Sequence, residues 1–366
     1  MKKTNQLISI IVIGLAIILV LGYLGMKGTQ STELTVYTYE SLLAWGKNPN
    51  ATLESVFGSF EKENGIKLNV VYFDDVRSAL LKIIEEKNNP RADVIIGIDN
   101  VLIFEAKKAG VLEQYKPNNL DEIQPWLINA SDSENFITPY DYSVISLVYD
   151  TKYISPKNHP KIENLTFKEL LKPSYSKQLI IEDPTLSSTG ISFLLSEITV
   201  YQKILKEDWT NWWKTIKKDI RVAPSWGQAI NDFWASDLNR HLLVSYGTDS
   251  AYNVYFNYSK DMRAVLTHEN GKNLGWLQVE GIGLVKNAPH GDVARKFIDY
   301  FLSTKIQDQI PTNNWMYPAN KNARLDESYS FAIDPTKVDI LNDYITPQEI
   351  ESNYENWLST WKNIMG

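Results

Sequence analysis

The chain of 366 residues contains no cysteine, and its four histidines lie outside any catalytic signature. Without cysteine it can form no disulfide, no thiolate nucleophile and no cysteine-ligated zinc site. The sequence also lacks a G-x-S-x-G elbow, a P-loop, a G-x-G-x-x-G turn and an H-E-x-x-H motif. We therefore predict that the protein is not an enzyme, holds no metal ion and carries no resident cofactor.

A surplus of basic residues is missing as well. The 37 lysines and arginines are outnumbered by 44 aspartates and glutamates, which gives a formal net charge of -7. Proteins that bind nucleic acid usually carry a basic stripe, so we predict no nucleic-acid partner. The hydrophobic content of 43% and the aromatic content of 12% are sufficient for buried cores, and the length suits about two or three domains.

Only one long apolar run is present, and it lies close to the N-terminus. Lys2 and Lys3 precede the uncharged residues 7–25, a run long enough to span a bilayer as a helix. A cleaved signal usually has a shorter apolar stretch and a small-x-small cleavage site, and the lysines favour a cytoplasmic N-terminus. We predict an uncleaved membrane anchor followed by an extracytoplasmic body, in the periplasm or at the cell surface, with a cleaved signal as the alternative.

Strand and helix patterns alternate after this run. Residues 34–39, 66–73 and 92–98 are rich in β-branched and apolar residues, which is typical of strands. Residues 51–65 and 76–89 have helical spacing and end at Gly or before Pro. This β-α-β order predicts an α/β fold with a parallel sheet.

Polar and aromatic residues follow each of these three strands. Tyr39 and Trp45 follow the first, Asp75 the second, and Asp99 and Asn100 the third. Ligands bind beyond the carboxyl ends of the strands in parallel α/β sheets, so we expect these side chains to meet at one edge. The alternative for Asp75 and Asp99 is simple capping of the helix that follows.

A second α/β body is predicted to begin near residue 145, and it contains a turn of small residues. Ser187, Ser188 and Gly190 stand between a strand and a helical stretch. The first turn of a helix presents free N–H groups and a positive dipole end, which suit an anionic or strongly polar ligand group. Helix capping by Ser187 or Ser188 is the alternative.

Aromatic residues recur in this second body. Trp226 precedes a helical stretch, and Tyr246, Asp249 and Tyr252 follow a strand. Aromatic rings beside carboxylates suit a flat cation through cation–π and ion-pair interactions. We therefore predict a small cationic ligand held in a cleft between the two bodies.

The segment IPTNNWMYPAN, residues 310–320, combines two large aromatic residues with prolines and asparagines. Neither a surface turn nor a core strand would need this mixture. In an extended segment Trp315 and Tyr317 would point to the same side. We predict that these two residues form one wall of the cleft.

Several segments resemble one family, the thiamine-binding proteins of ABC importers, and the likeness runs from about Leu34 to beyond Pro318. The stretch VARKFIDYFLSTKIQDQI resembles a helix of extracytoplasmic solute-binding proteins in general. The narrower resemblance rests on LTVYTYES, ADVIIGIDN, PYDYSVISLVYD, LLVSYGTDSAYN, LQVEG and IPTNNWMYP, of which the last is the most specific.

The resemblance implies a type II, two-lobed periplasmic-binding-protein fold after the N-terminal anchor or signal. We expect an anchor and tether at 1–33, lobe one at 34–142 plus 278–325, lobe two at 143–277, and C-terminal helices at 326–366 that brace the lobes. Hinge strands would lie where lobe one meets lobe two, and ligand binding would close the lobes by hinge motion.

The resemblance also implies a ligand and a partner. The ligand would be thiamine or its phosphate esters, carried by a monomer to a membrane permease of an ABC importer. The implied contacts are Tyr39, Trp45, Asp75, Asp99, Asn100, Ser187, Ser188, Gly190, Trp226, Tyr246, Asp249, Tyr252, Trp315 and Tyr317. The alternatives are another small cation, such as a polyamine, or a thiaminase-like enzyme, which the absence of cysteine disfavours.

Two positions depart from the family pattern. Thr189 stands where the family has a proline, and Asp74–Asp75 stands where the family commonly has Asp-Gly. An additional carboxylate disfavours an anionic group nearby. The sequence therefore leaves open the preference among thiamine, its monophosphate and its diphosphate.

Overall fold

The structure is a computed structural model that describes residues 33–235, 237–256 and 261–366. The predicted anchor at 7–25 and almost all of the tether lie outside the described residues. Within the described ranges, no helix has the length and apolar character needed to cross a membrane.

The strands form a large mixed sheet. The described strands are β1 (Glu33–Tyr39), β2 (Lys67–Phe73), β3 (Val94–Asp99), β4 (Leu112–Glu113), β5 (Ile137–Asp150), β6 (Leu179–Glu182), β7 (Arg221–Ala223), β8 (Leu242–Tyr246), β9 (Met262–Val265), β10 (Thr267–Glu269), β11 (Lys272–Val285), β12 (Tyr317–Pro318) and β13 (Asp339–Ile340). The main path of the sheet runs in the order β2-β1-β3-β11-β5-β8-β6-β7, and the remaining strands pair with β5 or β11.

Helices cover the sheet and connect its strands. The described α-helices are α1 (Pro49–Leu53), α2 (Ser59–Asn64), α3 (Val76–Glu85), α4 (Leu102–Ala109), α5 (Pro125–Ser131), α6 (Phe167–Leu170), α7 (Pro173–Ser176), α8 (Ser188–Thr199), α9 (Thr210–Ile216), α10 (Trp226–Trp234), α11 (Asp249–Tyr255), α12 (Gly291–Phe301), α13 (Thr304–Gln307), α14 (Ile310–Asn313) and α15 (Pro347–Met365). Single π turns follow α1 and α8, at Glu54–Gly58 and Val200–Leu205.

The first three strands confirm the predicted parallel arrangement. Strand β1 pairs in parallel with β2 along its whole length and with β3 through Val36 and Tyr37. Helix α2 ends at Gly65, whose φ of 64° is the left-handed conformation that glycine adopts without steric cost. The local signals in this region were therefore sufficient to place its strands and helices.

Two long antiparallel strands connect the two halves of the sheet. Strands β5 and β11 have 14 residues each and pair with one another. Strand β11 also pairs with β3 through Glu280 to Leu284, whereas β5 pairs with β8 through Ile145 to Tyr149. Both strands thus continue from one half into the other, as the predicted hinge strands would, and the exact lobe boundaries remain a prediction.

The C-terminal helix α15 contacts residues from both halves of the chain. Trp361 meets Trp213 edge to face, with ring centroids 5.8 Å apart. Tyr354 lies 5.8 Å from the guanidinium of Arg77, which belongs to α3. These contacts are compatible with the predicted bracing role, which remains a prediction.

The segment at 310–320 differs from the extended conformation predicted for it. Proline in the first turn, Pro311, allows the short helix α14 to form, and Trp315 then adopts a left-handed φ of 58°. Only Tyr317 and Pro318 lie in a strand, paired with β5. The prediction that Trp315 and Tyr317 share one side of an extended chain is therefore wrong.

Candidate functional site

A cavity that is partly open to solvent lies at the carboxyl ends of β1 and β2 and beside the N-terminus of α8. Segments that are distant in sequence meet there. The lining residues are Tyr39, Glu40, Ser41, Trp45, Asp74, Asp75, Val76, Ser188, Thr189, Trp226, Gly227, Ile230, Trp234, Tyr246, Asp249, Tyr252, Met262, Glu280, Asn314, Trp315 and Met316.

Most of the residues predicted from the sequence line this cavity. The nine that do so are Tyr39, Trp45, Asp75, Ser188, Trp226, Tyr246, Asp249, Tyr252 and Trp315. The five that do not are Asp99, Asn100, Ser187, Gly190 and Tyr317. The role of the nine in ligand binding remains a prediction.

Asp99 and Asn100 have structural contacts instead. The Oδ1 atom of Asp99 accepts hydrogen bonds from the backbone N–H groups of Val101 (2.8 Å) and Leu102 (2.7 Å), in the turn that leads into α4. Asn100 donates to the carbonyl of Leu277 at 3.0 Å and accepts from the N–H of Val279 at 3.1 Å. Asp99 thus stabilises the turn before α4, and Asn100 attaches this turn to β11; ligand contact by either residue remains a prediction.

Ser187 and Gly190 shape the start of α8. Ser187 Oγ accepts a hydrogen bond from the N–H of Gly190, as an N-cap residue does. A Cβ atom at Gly190 would lie 2.7 Å from the carbonyl oxygen of Glu182. Glycine is therefore required for the close approach of α8 to β6.

Tyr317 packs behind the cavity wall. Its ring stacks on Tyr142 with centroids 5.4 Å apart, and its hydroxyl donates to the carbonyl of Ile333 at 3.3 Å. Trp315 takes the lining position because the left-handed turn at this residue separates the two side chains.

Aromatic rings form one wall of the cavity in a fixed mutual orientation. Trp45 meets Trp226 and Tyr252 edge to face at 5.4 and 6.0 Å, and Tyr252 meets Trp315 edge to face at 5.3 Å. The indole N–H of Trp226 donates to Ser245 Oγ at 2.8 Å, and that of Trp315 donates to the carbonyl of Trp45 at 3.0 Å. The hydrogen bonds hold the rings edge to face.

The cavity is strongly acidic. Five of its lining residues are Glu40, Asp74, Asp75, Asp249 and Glu280, and none of the described lining residues is Lys, Arg or His. A cation is therefore the charge type that this surface attracts.

Burial changes the protonation of three of these carboxyls. It raises the pKa of Asp75 to about 6 and the pKa values of Asp249 and Glu280 to about 7. Loss of hydration disfavours the charged form, and hydrogen bonds to each carboxyl offset only part of this effect. A bound cation would compensate the buried negative charge.

Glu280 belongs to a buried polar network beside the cavity, and Tyr39 and Asn314 of this network also line the cavity. Its Oε2 atom accepts hydrogen bonds from the hydroxyls of Tyr39 (2.9 Å) and Tyr140 (2.6 Å). Asn314 donates to the Tyr39 hydroxyl at 3.1 Å and to Asp141 Oδ2 at 2.7 Å. Burial, and then the charge of Glu280, raise the pKa of Asp141 well above its usual range. The network fixes the ring of Tyr39 at the cavity surface.

Asp75 joins the two halves of the site. Its carboxyl accepts hydrogen bonds from the N–H of Arg77 at 3.0 Å and from the N–H of Ser188 at 3.2 Å. It therefore caps α3 and also contacts the first residue of α8. The capping alternative and the lining position both apply to this residue.

Glu280 and Asn314 line the cavity but were not among the contacts predicted from the sequence. Glu280 lies in β11 within the run LQVEGIGLV, where it is the only charged residue. A single carboxylate in an otherwise apolar buried strand was the available signal, since such a group needs partners. Asn314 gave a weaker signal, because asparagine is common in turns.

No group of three or more His, Cys, Asp or Glu side chains is placed to hold a metal ion within the part of the chain that the structure describes. The carboxyls of the cavity instead face aromatic rings and hydroxyl groups. This arrangement is chemically suited to an organic cation.

Sequence comparison relates this chain to bacterial solute-binding proteins. The family model for bacterial extracellular solute-binding proteins matches residues 89–332. The chain is 30% identical to the thiamine-binding periplasmic protein of Escherichia coli (strain K12) over 336 residues, which are 91% of this chain and 93% of that protein. It is 27% identical to the thiamine-binding periplasmic protein of Brucella melitensis biotype 1 over 331 residues, 90% and 91% of the two chains.

A solved structure supports the same relationship. The structure described as a periplasmic thiamin binding protein superposes with a TM-score of 0.76 at 26% identity, covering 93% of this chain and 98% of that one. The mixed α/β sheet therefore belongs to the periplasmic-binding-protein fold.

Proposed function

Because the chain belongs to the bacterial extracellular solute-binding proteins and, within them, to the thiamine-binding periplasmic proteins, we propose that it binds thiamine outside the cytoplasm for an ABC importer. The bound vitamin is cargo and not a resident cofactor. The ligand site is the cavity lined by Trp45, Trp226, Tyr252 and Trp315 together with the five acidic residues.

The observation that carries this proposal is the combination of aromatic rings with an excess of carboxyls in one cavity. Thiamine has a permanently charged thiazolium ring, a flat aminopyrimidine ring and a polar hydroxyethyl tail. Each aromatic contact with a cation contributes about 0.5–2 kcal/mol, depending on desolvation. Several such contacts and buried carboxyls reach the ~8 kcal/mol that corresponds to micromolar affinity.

A polyamine is the competing small cation. The carboxyls Asp75, Asp249 and Glu280 would accept ammonium groups, but a linear polyamine has no flat ring to pack against the exposed parts of Trp45 and Trp226. Both tryptophans line the cavity and contact each other edge to face, so a flat aromatic cation gains ring contacts that a polyamine cannot make.

Isothermal titration calorimetry on the purified soluble part, from residue 33 onward, tests the proposal. We expect thiamine to bind with a dissociation constant of about 1 μM or lower and spermidine to bind far more weakly. Absence of thiamine binding, or tighter binding of spermidine, would contradict the proposal.

We further propose that the protein binds without catalysis. A chain that lacks cysteine has no thiolate nucleophile, and the family consists of binding proteins. Incubation with thiamine, followed by chromatography for released pyrimidine, separates binder from enzyme. Recovery of intact thiamine supports binding, whereas turnover would overturn it.

The proposed mechanism is closure of a type II, two-lobed monomer around the ligand. The long strands β5 and β11 supply the hinge, near Tyr140–Ser143 and Gln278–Gly281, and the closed form docks on a membrane permease. Small-angle scattering should show a smaller radius of gyration with thiamine and a monomeric mass. An unchanged radius would argue against hinge closure.

The proposed location is outside the cytoplasm, with residues 7–25 retained as a membrane anchor. Their apolar length supports this proposal. N-terminal sequencing of the protein from native membranes provides the test. A native start at residue 1 agrees with an anchor, and a start near residue 30 would show a cleaved signal.

A further inference from the structure

The two halves of the sheet meet around one buried arginine that lies outside the cavity lining. The first half is the part with β1, β2 and β3, and the second half is the part with β6, β7 and β8. Arg77 lies in α3, is 8% exposed and is not among the described lining residues of the cavity. A buried guanidinium needs partners for its charge and for its N–H groups. The partners of Arg77 come from both halves.

Arg77 is fixed to the first half by its own helix and by an ion pair. The apolar residues of α3 pack in one cluster with residues of β1, β3 and α4. The Nη2 atom of Arg77 lies 3.5 Å from Oε2 of Glu105 in α4, whose side chain is 17% exposed. Both members of this ion pair would therefore move together with the first half.

A carbonyl of the second half accepts the other end of the guanidinium. The Nη1 atom of Arg77 donates to the carbonyl oxygen of Pro184 at 3.1 Å, across 107 positions of the chain. Pro184 lies in the turn after β6, and the N–H of Asp183 attaches this turn to the carbonyl of Ala223 in β7 at 2.8 Å. A hydrogen bond from a charged donor is stronger than a neutral one, so this contact ties α3 to the second half.

The ring of Tyr354 supplies a further contact between the halves. The guanidinium carbon of Arg77 lies 5.8 Å from the ring centroid, which is within the range of a cation–π interaction. Tyr354 is 5% exposed and belongs to the C-terminal helix α15. This helix packs through Trp361 on Trp213 of α9, which stands between β6 and β7 in the chain. Arg77 thus meets a helix that is held by the second half.

Opening of the proposed hinge would break both contacts. Rotation about β5 and β11 would separate α3 from Pro184 and from Tyr354. The two contacts therefore lower the free energy of the closed arrangement relative to the open one, with or without a ligand in the cleft. Asp75 also reaches the second half, at Ser188, but it lines the cavity. Arg77 acts on closure from outside the cavity.

We propose that Arg77 is a positioning residue that raises the closed fraction of the unliganded protein and thereby tightens ligand binding without contacting the ligand. The inference rests on the proposed function, because closure affects affinity only if a ligand binds between the halves. For a ligand that binds the closed arrangement, the apparent dissociation constant is the intrinsic one divided by the closed fraction. A larger closed fraction therefore lowers the apparent constant in proportion.

Two changes remove these contacts, and a second arginine provides the control. Arg77→Met combined with Glu105→Gln removes the guanidinium and leaves no unpaired carboxylate, and methionine keeps an unbranched apolar stem. Arg77→Lys keeps a charge beside Glu105 but loses the guanidinium fork. The matched control is Arg240→Met. Arg240 is half-buried and donates to the carbonyls of Leu179 at 3.0 Å and Asp219 at 2.8 Å, both within the second half.

Spin labels on the full chain measure closure directly, because a chain without cysteine takes up labels only at introduced cysteines. Leu81→Cys in α3 and Asn231→Cys in α10 are exposed positions on helices whose first residues line the cavity. Double electron–electron resonance without ligand should give a longer distance between the labels in the Arg77→Met/Glu105→Gln protein than in the otherwise unmodified one. The Arg240→Met protein should keep the original distance.

Calorimetry on the same full-length proteins measures thiamine affinity. The Arg77→Met/Glu105→Gln protein should bind at least ~5-fold more weakly, because its closed fraction is smaller. Arg77→Lys should show a smaller loss in the same direction, whereas Arg240→Met should lower only the free energy of unfolding. An unchanged label distance or an unchanged affinity in the folded Arg77 variants would overturn the inference, and so would equal effects in Arg240→Met.

The two measurements also separate the inference from the proposed function. Absence of thiamine binding by the unmodified protein would refute the function. The label distance without ligand tests the contacts of Arg77 whichever ligand the cleft takes. If the double variant does not fold, the Arg77→Lys protein decides both measurements.

Discussion

Trp315 and Trp45, 270 positions apart in the sequence, are joined by a hydrogen bond of 3.0 Å from the indole N–H of Trp315 to the carbonyl oxygen of Trp45. A second bond runs from the N–H of Trp45 to the carbonyl of Asn313, also at 3.0 Å. The two tryptophans thus connect the loop after β1 with the segment after α14. Trp315 is 5% exposed, whereas Trp45 is half-buried, so one wall of the cavity combines a buried ring with a more exposed one.

The first prediction concerns Trp315 as a core residue. Trp315→Ala should lower the free energy of unfolding by about 3–5 kcal/mol, because a large buried ring is lost. Urea denaturation followed by circular dichroism measures the change. Trp126→Ala, at a residue that is 37% exposed and outside the cavity, is the matched control and should cost about 1 kcal/mol or less. Equal effects of the two changes would show that Trp315 is not part of the core.

The second prediction concerns Trp45 as a ligand contact. Trp45→Ala should weaken thiamine binding by roughly tenfold through loss of one aromatic contact with the cation. Calorimetry measures the affinity, and Trp126→Ala again serves as the control with unchanged affinity. An unaltered dissociation constant in the Trp45 variant would exclude stacking on this ring.

The third prediction separates capping from ligand binding at Asp99. Asp99→Asn keeps the oxygen that accepts from Val101 and Leu102, so thiamine affinity should change by about twofold or less. Asp99→Ala removes both hydrogen bonds and should lower the free energy of unfolding by about 1 kcal/mol. Calorimetry and urea denaturation provide the two measurements. A large loss of affinity in the Asn variant would return Asp99 to the ligand contacts.

The fourth prediction is a pH dependence of ligand affinity. Burial raises the pKa values of Asp249 and Glu280 to about 7 and that of Asp75 to about 6, so these groups are partly protonated near neutrality without ligand. A bound cation favours their ionised form, and binding then releases protons. Thiamine affinity should therefore rise from about pH 5.5 to about pH 8, by roughly tenfold per pH unit for each proton released.

Calorimetry in buffers of different ionisation enthalpy measures this proton release directly. Asp249→Asn removes one of the titrating groups and should reduce the slope of affinity against pH. An affinity that does not change across this range would contradict the proposed contact between the cation and these carboxyls.

The fifth prediction concerns Glu182, which is 1% exposed at the end of β6. Among the residues that the structure describes, no other residue donates a hydrogen bond to either carboxyl oxygen of Glu182. Burial, followed by the charges of Asp75 and Asp249, raises its pKa well above the usual range. The protonated Glu182 carboxyl makes its full contribution to stability at a pH below about 4.3, the pKa of glutamate in the unfolded chain. This contribution is lost as the pH rises through the higher pKa of Glu182 in the folded protein.

The glutamine side chain of the Glu182→Gln variant cannot ionise. The stability of this variant relative to the unmodified protein should therefore increase as the pH rises. Thermal unfolding of both proteins without ligand at about pH 5 and about pH 8 measures the difference. Glu351→Gln, at an exposed position, is the control with no such trend. A variant that loses stability relative to the unmodified protein toward high pH would show that the carboxylate form is stabilised in the fold.

Sequence reasoning was accurate where the signals were local. The alternation of strand and helix patterns up to residue 109 predicted the parallel strands β1, β2 and β3 because hydrophobic periodicity reflects the burial of each element. The carboxyl ends of those strands correctly indicated Tyr39, Trp45 and Asp75 as lining residues. The position of a residue after a strand indicates that it lies at the ligand-binding edge of the sheet. It does not determine which residues from other elements its side chain contacts.

Sequence reasoning could not tell which of several similar residues line the cavity. Asp75 and Asp99 both follow a strand and both accept hydrogen bonds from the turn before a helix, yet only Asp75 also reaches Ser188 of the second half and lines the cavity. Trp315 and Tyr317 lie two positions apart, and a left-handed turn sends one to the cavity and the other behind it. Glu280 was missed because its partners Tyr39 and Tyr140 lie on other strands.

The sequence by itself determined the α/β class, the absence of thiol chemistry, the acidic and aromatic composition of the site and the family. These properties depend on residue type and local spacing, which folding does not alter. The tertiary structure decided which carboxyls and rings share a cavity, and that Asp75 lies against the N-terminus of α8. Those relationships depend on the pairing of β5 with β11 and on the packing of helices from distant parts of the chain, and short-range patterns carry no information about either.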